Sequence, residues 1–99
     1  MLLIIGTIRL PEGRLDSARP IMASMIEATR AEAGCLDYSY AEDILDPGLI
    51  HIAERWTDRA ALDAHLLSAH MAKWRASGPS LGIADRNLSL YEAGEPQPL

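Results

Sequence analysis

The residues of this chain that are best suited to chemistry lie close together in sequence, between Gly34 and Trp74. Both tryptophans, all three histidines, two of the three tyrosines and the single cysteine fall within that window. Histidine titrates near neutral pH and can take a proton from a phenol, and aromatic side chains stack on aromatic ligands. We therefore expect any pocket to be built from this part of the chain.

One carboxylate in the window is a candidate base. Alternation along a strand from Leu49 to Trp56 places four side chains on one face, namely Ile50, Ile52, Glu54 and Trp56. If that face meets helices, Glu54 lies at the edge of an apolar, aromatic-lined space, where loss of hydration would raise its pKa. The alternative is a structural carboxylate paired with a nearby arginine, since buried carboxylates are usually satisfied by partners.

Two histidines follow in a helical region. His65 and His70 are five positions apart, so on one continuous helix they would point about 140° away from each other. A break near Leu67-Ser68 would bring them together, with a third ligand from Glu54 or His51, but no HxxxH or CxxC spacing is present. We predict no metal site. Each histidine is then either a surface or hydrogen-bonded residue or an acid–base catalyst.

Aromatic and thioether side chains could supply the walls of a pocket. Tyr38 and Trp74 could frame an aromatic ligand by stacking, and each carries a polar group that needs a partner. The adaptable apolar side chains at helical spacing are Met22, Met25 and Met71. The alternative interpretation of all five residues is an ordinary hydrophobic core.

Composition excludes several classes of protein. The 99 residues suffice for one domain, and the net charge of −5, from 9 basic and 14 acidic residues without a basic run, argues against nucleic-acid binding. The apolar run from Leu2 to Ile5 is too short for a signal peptide or a membrane span. Cys35 is alone, so no intrachain disulfide can form. We expect a cytoplasmic protein that binds no membrane.

The pattern along the chain predicts the elements that must position these residues. Residues 2–10 and 35–42 read as strands, with a helix over 15–33 between them in which Pro20 marks the first turn and which Gly34 ends. In the second strand, Leu36, Tyr38 and Tyr40 should share a face.

The second half of the chain repeats the alternation of strand and helix. A turn at residues 46–48 leads to the strand over 49–56, and Thr57 should cap a helix over 58–66. A further helical segment over 68–76 ends at Gly78-Pro79, and residues 81–91 return to a strand. We predict a single domain over residues 1–92 and a flexible tail over 93–99.

The order β-α-β-β-α-β predicts an α+β fold of the ferredoxin-like, split-βαβ type, a four-stranded antiparallel sheet with helices on one face. The other sheet face would carry apolar side chains, namely Leu3, Ile5, Leu49 and Ala53. Such a face is too apolar to leave in water, so we expect a homodimer in which two sheets meet.

The combined pattern resembles a known family. It comprises Gly34-Cys35-Leu36-x-Tyr38, Asp46-Pro47, Glu54-Arg55-Trp56-Thr57-Asp58, Ala61-Leu62, His65, Ser68 and His70, and it is similar to the antibiotic biosynthesis monooxygenase domain, a dimeric α+β barrel. Members include cofactor-independent oxygenases of aromatic polyketides, quinol oxygenases, haem-degrading enzymes and an isomerase of a phosphorylated signalling sugar. The resemblance covers almost the whole chain.

The resemblance implies a monooxygenase that oxidises a small phenolic, quinol or polyketide-like aromatic substrate with dioxygen and needs no flavin, haem or metal. In this interpretation His65 and His70 handle protons and Glu54 orients one of them. The substrate walls are Tyr38, Trp56, Trp74, Met22 and Met71.

Other branches of the family imply other functions. The residues that haem degradation would require, Asn, Trp and His, are replaced here by Gly6, His65 and Arg75, which disfavours that branch. A sugar-phosphate isomerase would have only the scattered Arg9, Arg55 and Arg75 for a phosphate. A non-catalytic, small-molecule-binding or stress-related dimer is the alternative from a different class.

Overall fold

The computed structural model describes all residues 1–99 and contains four strands and three helices. The strands are β1 (Leu2–Arg9), β2 (Cys35–Glu42), β3 (Leu49–Trp56) and β4 (Ala84–Glu92), and the helices are α1 (Leu15–Arg30), α2 (Arg59–Leu66) and α3 (Ala69–Leu81). This is the predicted α+β order, with the second helical region divided in two. Residues 93–99 form no helix or strand. None of the three helices combines the length and the apolar character that a membrane crossing requires.

The four strands form one antiparallel sheet in the order β2-β3-β1-β4. The central strand β1 pairs with β3, where Ile4 lies opposite Glu54, and with β4, where Ile4 lies opposite Leu90. Side chains alternate across a strand, so this register sends even-numbered residues of β1 and β3 towards the helices. The predicted face of Ile50, Ile52, Glu54 and Trp56 is confirmed, because all four are buried on that side.

The hydrophobic core lies between this face and the helices. It is rich in aliphatic side chains, methionine and two tryptophans, and its members are Leu2, Ile8, Leu10, Ala18, Met22, Met25, Tyr38, Ile50, Ile52, Trp56, Leu62, Met71, Trp74 and Leu81. The opposite sheet face has no helix over it, and Ile5 on that face is 50% exposed.

Pro20 and Pro79, which were expected to mark helix ends, both lie inside helices. Helix α1 begins at Leu15, five residues before Pro20, and α3 continues through Gly78-Pro79 to Leu81, where Gly82 adopts φ 74°. A proline removes one N–H···O bond to the residue four positions earlier. Here those carbonyls belong to Asp16 and Arg75, which are exposed and can bind water instead. The helix over 15–33 also ends earlier than predicted, at Arg30.

Two smaller predictions are also corrected. Asp58, rather than Thr57, caps α2, because its Oδ1 accepts a hydrogen bond from Ala61 N at 2.9 Å. In β2 a register shift between Cys35 and Asp37 places Cys35 opposite Trp56 and leaves Leu36 47% exposed, so Leu36 does not share the buried face of Tyr38. A β-bulge of this kind turns one extra residue out of the ladder.

Candidate functional site

A cavity of about 300 Å³, called the main cavity below, lies between the helix-facing side of the sheet and helices α2 and α3. Twelve of its seventeen lining residues are hydrophobic, so a molecule inside it would lose most of its contact with water. The polar groups that reach it belong to a tyrosine pair, a carboxylate, a histidine, a serine and two arginines, namely Tyr38, Tyr40, Glu54, His65, Ser89, Arg59 and Arg86. A few polar groups in apolar walls are typical of small-molecule sites.

The carboxylate of Glu54 lies on the β3 side of this cavity and is 6% exposed. Its Oε1 accepts a hydrogen bond from Trp56 Nε1 at 3.0 Å, and it forms no ion pair, so the alternative of a carboxylate paired with arginine is wrong. Burial raises the pKa of Glu54, although the hydrogen bond from Trp56 and the positive charge of Arg86 oppose this shift. Glu54 is thus a buried carboxyl group with one hydrogen-bond partner in a largely apolar cavity.

Glu54→Gln is expected to raise the melting temperature at pH 8 and to leave it unchanged at pH 4. Because the pKa of Glu54 is higher in the folded than in the unfolded chain, its contribution to stability is present below the usual value of 4.5. It is lost as the pH rises and the buried carboxyl ionises, whereas glutamine can still accept from Trp56 and never ionises. Calorimetry across this range measures the difference, with the exposed Glu27→Gln as control. A lower melting temperature at pH 8 would contradict the prediction.

Two tyrosines from β2 stand beside the carboxylate. The hydroxyl groups of Tyr38 and Tyr40 are 3.2 Å apart and share a hydrogen bond, and their rings stack with centroids 5.5 Å apart. Burial is the main cause that raises the pKa of Tyr40 to about 12 and raises that of Tyr38 further. Both phenols are therefore neutral near pH 7 and act as hydrogen-bonding groups. Sequence analysis did not select Tyr40 for the site, although its alternation with Tyr38 was a usable signal.

His65 is the buried histidine of the site. It lies on α2, is 1% exposed, and its ring packs against Trp56 and Tyr38 with centroid distances of 4.6 and 5.4 Å. Its Nδ1 donates to Glu32 Oε2 at 2.7 Å, while Nε2 has no hydrogen-bond partner in the protein. Burial lowers the pKa of His65, and the hydrogen bond to Glu32 opposes this effect. The ring is thus held by one nitrogen and lines the cavity.

The predicted helix break is present and brings the two histidines together. Helix α2 ends at Leu66, and Ser68 caps α3 by accepting from Met71 N, so the rings of His65 and His70 lie 5.9 Å apart. His70 Nε2 donates to the same Oε2 of Glu32 at 3.1 Å. His70 nevertheless borders a second cavity of about 280 Å³ between α1 and α3, and not the main one. Of the two histidines expected to handle protons, only His65 therefore lines the main cavity.

Glu32, which sequence analysis did not select, orients both histidines in place of Glu54. It lies in the turn after α1, and 33 positions separate it from His65. No spacing in the sequence indicates a contact over that distance. The nitrogen and oxygen atoms that these three residues offer lie within 4.8 Å of one another, so together they could hold a metal ion.

The third metal ligand was thus expected from the wrong residues. Glu54 accepts a hydrogen bond from Trp56 instead. His51 lies on the uncovered sheet face, where its Nε2 is hydrogen-bonded to Asp43 Oδ2 at 2.8 Å.

The predicted walls divide into two groups. Tyr38, Met71 and Trp74 line the main cavity. Trp56 is completely buried beneath Glu54 and His65, and Met22 borders a separate groove beside α1, so neither is a wall of this cavity.

The arginines that a phosphate would need also lie elsewhere. Arg9 pairs with Asp46, Arg55 lies 3.9 Å from Asp37, and Arg75 donates to the carbonyl of Leu66. Those that line the cavity are Arg59 and Arg86, and sequence analysis selected neither. Their scattered positions in the sequence gave no sign that α2 and β4 bring both of them to one cavity.

Comparison with other sequences identifies relatives of known family. Residues 1–77 match the family profile described as antibiotic biosynthesis monooxygenase. An uncharacterized protein of Synechocystis is 26% identical over 99% of this chain, and the "Putative monooxygenase Rv0793" of Mycobacterium tuberculosis is 39% identical over 67% of it. The matched regions span 67% and 63% of those two proteins, respectively.

Solved structures agree with this assignment. A "putative antibiotic biosynthesis monooxygenase" from Deinococcus radiodurans superimposes with a TM-score of 0.90 and 29% identity, covering 100% of this chain and 98% of its own. The structure of Rv0793 superimposes with a TM-score of 0.77 and 28% identity, covering 96% of each chain. The profile match extends over more than three quarters of the sequence, and the fold agrees over all of it. The chain therefore belongs to the antibiotic biosynthesis monooxygenase family.

Proposed function

We propose that this protein is a monooxygenase that oxidises a small phenolic or quinol-type aromatic substrate with dioxygen, without a resident cofactor. The observation that carries the proposal is the pairing of Glu32 with His65 at the edge of an apolar cavity. Since Nδ1 donates to the carboxylate, Nε2 is the nitrogen left to accept a proton from a bound phenol. Family membership supports oxygenase chemistry, and the geometry supports the base.

The cavity suits a flat substrate with a hydroxyl group. Its volume of about 300 Å³ is at the lower end of the usual range for ligand pockets, which favours one or two fused rings over a large polycycle. The ring of Trp74 and the side chain of Met71 form apolar walls, and the Tyr38–Tyr40 hydroxyl pair offers a hydrogen bond to a substrate oxygen. Arg86, which also lines the cavity, would favour the phenolate over the phenol once the proton has left.

The reaction balances without an added reductant. His65 removes a phenolic proton, and the electron-rich anion of a hydroquinone attacks dioxygen to form a carbon–oxygen bond. Loss of water then cleaves the oxygen–oxygen bond, which leaves a hydroxyquinone. One oxygen atom enters the product and the other leaves as water, and the substrate supplies all four electrons. The apolar walls keep bulk water from the intermediate.

Dioxygen consumption tests the proposal. The protein is mixed with a panel of hydroquinones and anthrones, and oxygen uptake is followed with ¹⁸O₂ so that incorporation into the product can be measured by mass spectrometry. We expect one labelled atom per product molecule. Saturable binding of these compounds, measured by calorimetry without any uptake, would instead support the alternative of a non-catalytic binding protein. The arginines expected for a sugar-phosphate isomerase, Arg9, Arg55 and Arg75, do not line the cavity, so a phosphate would have to bind Arg59 and Arg86 instead.

We also propose that two copies of the chain assemble through the uncovered sheet face. Ile5 and Ala53 are paired neighbours at the centre of that face and are both exposed, and Tyr91 on β4 is 53% exposed. Apolar side chains in the middle of a sheet are usually covered, and a second copy offers the same surface. Homodimers of this obligate type commonly bury more than about 2,000 Å².

Ile5→Lys is expected to convert the dimer into a monomer, because a charge at the centre of the interface would lose its hydration without a partner. Light scattering after gel filtration at micromolar concentration measures the mass. Ile44→Lys is the matched control, since Ile44 is 97% exposed in the β2–β3 loop and should leave the dimer intact. A wild-type monomer at that concentration would refute the proposed assembly.

A further inference from the structure

We propose that Glu32, His65 and His70 form a binding site for a divalent transition-metal ion of the zinc class. Three ligand atoms converge from three different parts of the fold, namely the turn after α1, helix α2 and helix α3. Each is of a type that Zn²⁺ accepts, one carboxylate oxygen and two imidazole nitrogens. The site is distinct from the main cavity, which only His65 also reaches.

Two of the three distances between the ligand atoms are slightly shorter than those of an occupied site, and the third, between the two imidazole nitrogens, is at most 4.8 Å. Glu32 Oε2 lies 2.7 Å from His65 Nδ1 and 3.1 Å from His70 Nε2. In a tetrahedral zinc site with bonds of about 2.0–2.1 Å, neighbouring ligand atoms are separated by about 3.3 Å. A metal ion therefore requires the two imidazole nitrogens to lie about 3.3 Å from each other and the carboxylate to withdraw by a few tenths of an ångström. Its side chain is 17% exposed, and it lies in a turn, so it has room to do so.

The break between α2 and α3 makes this convergence possible. On a continuous helix the two histidines would diverge, but Ser68 ends the first helix by donating to the carbonyl of His65 and begins the second by capping Met71. The break turns His70 back towards His65. Glu32 Oε2 then accepts a hydrogen bond from each of the two rings. A metal ion bound between the three residues would replace these two hydrogen bonds.

Proton balance requires no further reactant. In the metal-free state the nitrogens that face Glu32 carry the protons, Nδ1 of His65 and Nε2 of His70. When the ion binds, each proton moves to the other nitrogen of the same ring, and the carboxylate stays ionised. The fourth position is left for water. Arg75 lies near His65, and Lys73 lines the second cavity together with His70, so these two positive charges oppose a cation and limit its affinity.

Occupancy would also change His65 in the main cavity, a consequence that rests on the proposed function. With Nδ1 bound to the ion, Nε2 carries a proton and becomes a donor, so His65 can no longer accept a proton from a phenol. Zinc should therefore inhibit oxidation. The binding measurement below does not depend on activity, so failure of the oxygenase proposal and failure of the metal site are distinguishable.

Calorimetric titration of chelator-treated protein with ZnCl₂ at pH 7.5 tests the site. We expect one Zn²⁺ per chain, and Glu32→Gln and His70→Ala should each weaken binding at least about ten-fold. Replacement by Co²⁺ should give the visible absorption bands of a four-coordinate ion, which both variants should lose. His51→Ala is the matched control, because its pair with Asp43 is a histidine–carboxylate contact with no third ligand, and it should bind zinc like the wild type.

The outcomes are separable. Absence of binding at one ion per chain, or unchanged affinity in both Glu32→Gln and His70→Ala, would overturn the proposal. His70 is 24% exposed in its side chain, so its variant should fold even if Glu32→Gln does not, and circular dichroism of each variant without metal establishes this.

Discussion

His65→Gln is expected to lower kcat/KM for oxidation of a quinol-type substrate by about 10²–10⁴, the usual contribution of a positioned base. Glutamine approximates the length of the ring and can still hydrogen-bond to Glu32, but it cannot accept a proton from a phenol. Because His65 packs against Trp56 and Tyr38 and is 1% exposed, replacement by alanine would leave a void in the core. A loss of activity in the alanine variant could then come either from the missing base or from the lost packing, so glutamine is the better substitution. Steady-state oxygen uptake measures the effect.

His51→Gln provides the control for that measurement. His51 is remote from the cavity but lies on the sheet face proposed for dimer assembly, so in a variant that remains dimeric kcat/KM should stay within a factor of about two. If His65→Gln kept full activity while remaining folded, the base would have to be Glu54, whose raised pKa makes it the other candidate in the cavity. A loss of activity in the His51 variant would indicate an effect transmitted through assembly.

Gly6→Ala is expected to reduce the free energy of unfolding by about 3 kcal/mol or more, the upper range for overpacking. A Cβ at Gly6 would overlap the carbonyl oxygen of Asn87 and lie 2.7 Å from the Cα of Leu88. Both atoms belong to the backbone of β4, which cannot move aside without losing its pairing with β1. Urea denaturation followed by circular dichroism measures the change.

Gly78→Ala is the matched control, because nothing lies within 4 Å of the position that its Cβ would take. Gly78 is inside α3, where alanine is a better helix former by about 1 kcal/mol, so this variant should be slightly more stable than the wild type. Equal stability of the Gly6 and Gly78 variants would show that β4 yields to the extra methyl group and would refute the packing argument.

The elements were predictable because local signals and tertiary packing agree in most of this chain. Alternation fixed the buried face of β3, and the turn at residues 46–48 fixed its pairing with β2. The wrong predictions concern positions where a local sequence rule does not apply because of the surrounding structure. Pro20 and Pro79 were read as helix boundaries, but exposed carbonyls four positions earlier tolerate a missing donor. The register shift at Cys35 has no sequence signal of its own.

The candidate site was only partly predictable, since its polar contacts are mostly non-local. His65 and Glu54 could be selected from residue type and alternation, and the break at Leu67-Ser68 could be anticipated. The role of Glu32 could not, because it depends on where the turn after α1 meets α2 and α3. The position of His70 could not be predicted either, because the cavity that it borders depends on the angle between α2 and α3 at the break.

The central position of β1 has a consequence for the order in which the chain folds. Both of its neighbours are distant in sequence, and Leu2 lies opposite Trp56 on one side and opposite Glu92 on the other. Sheets dominated by such non-local pairs fold in about milliseconds to seconds, because long loops must close before any contact stabilises them. During synthesis on the ribosome, the apolar first strand must therefore remain half-paired until residues 84–92 have emerged, and this interval is when the chain is most exposed to aggregation.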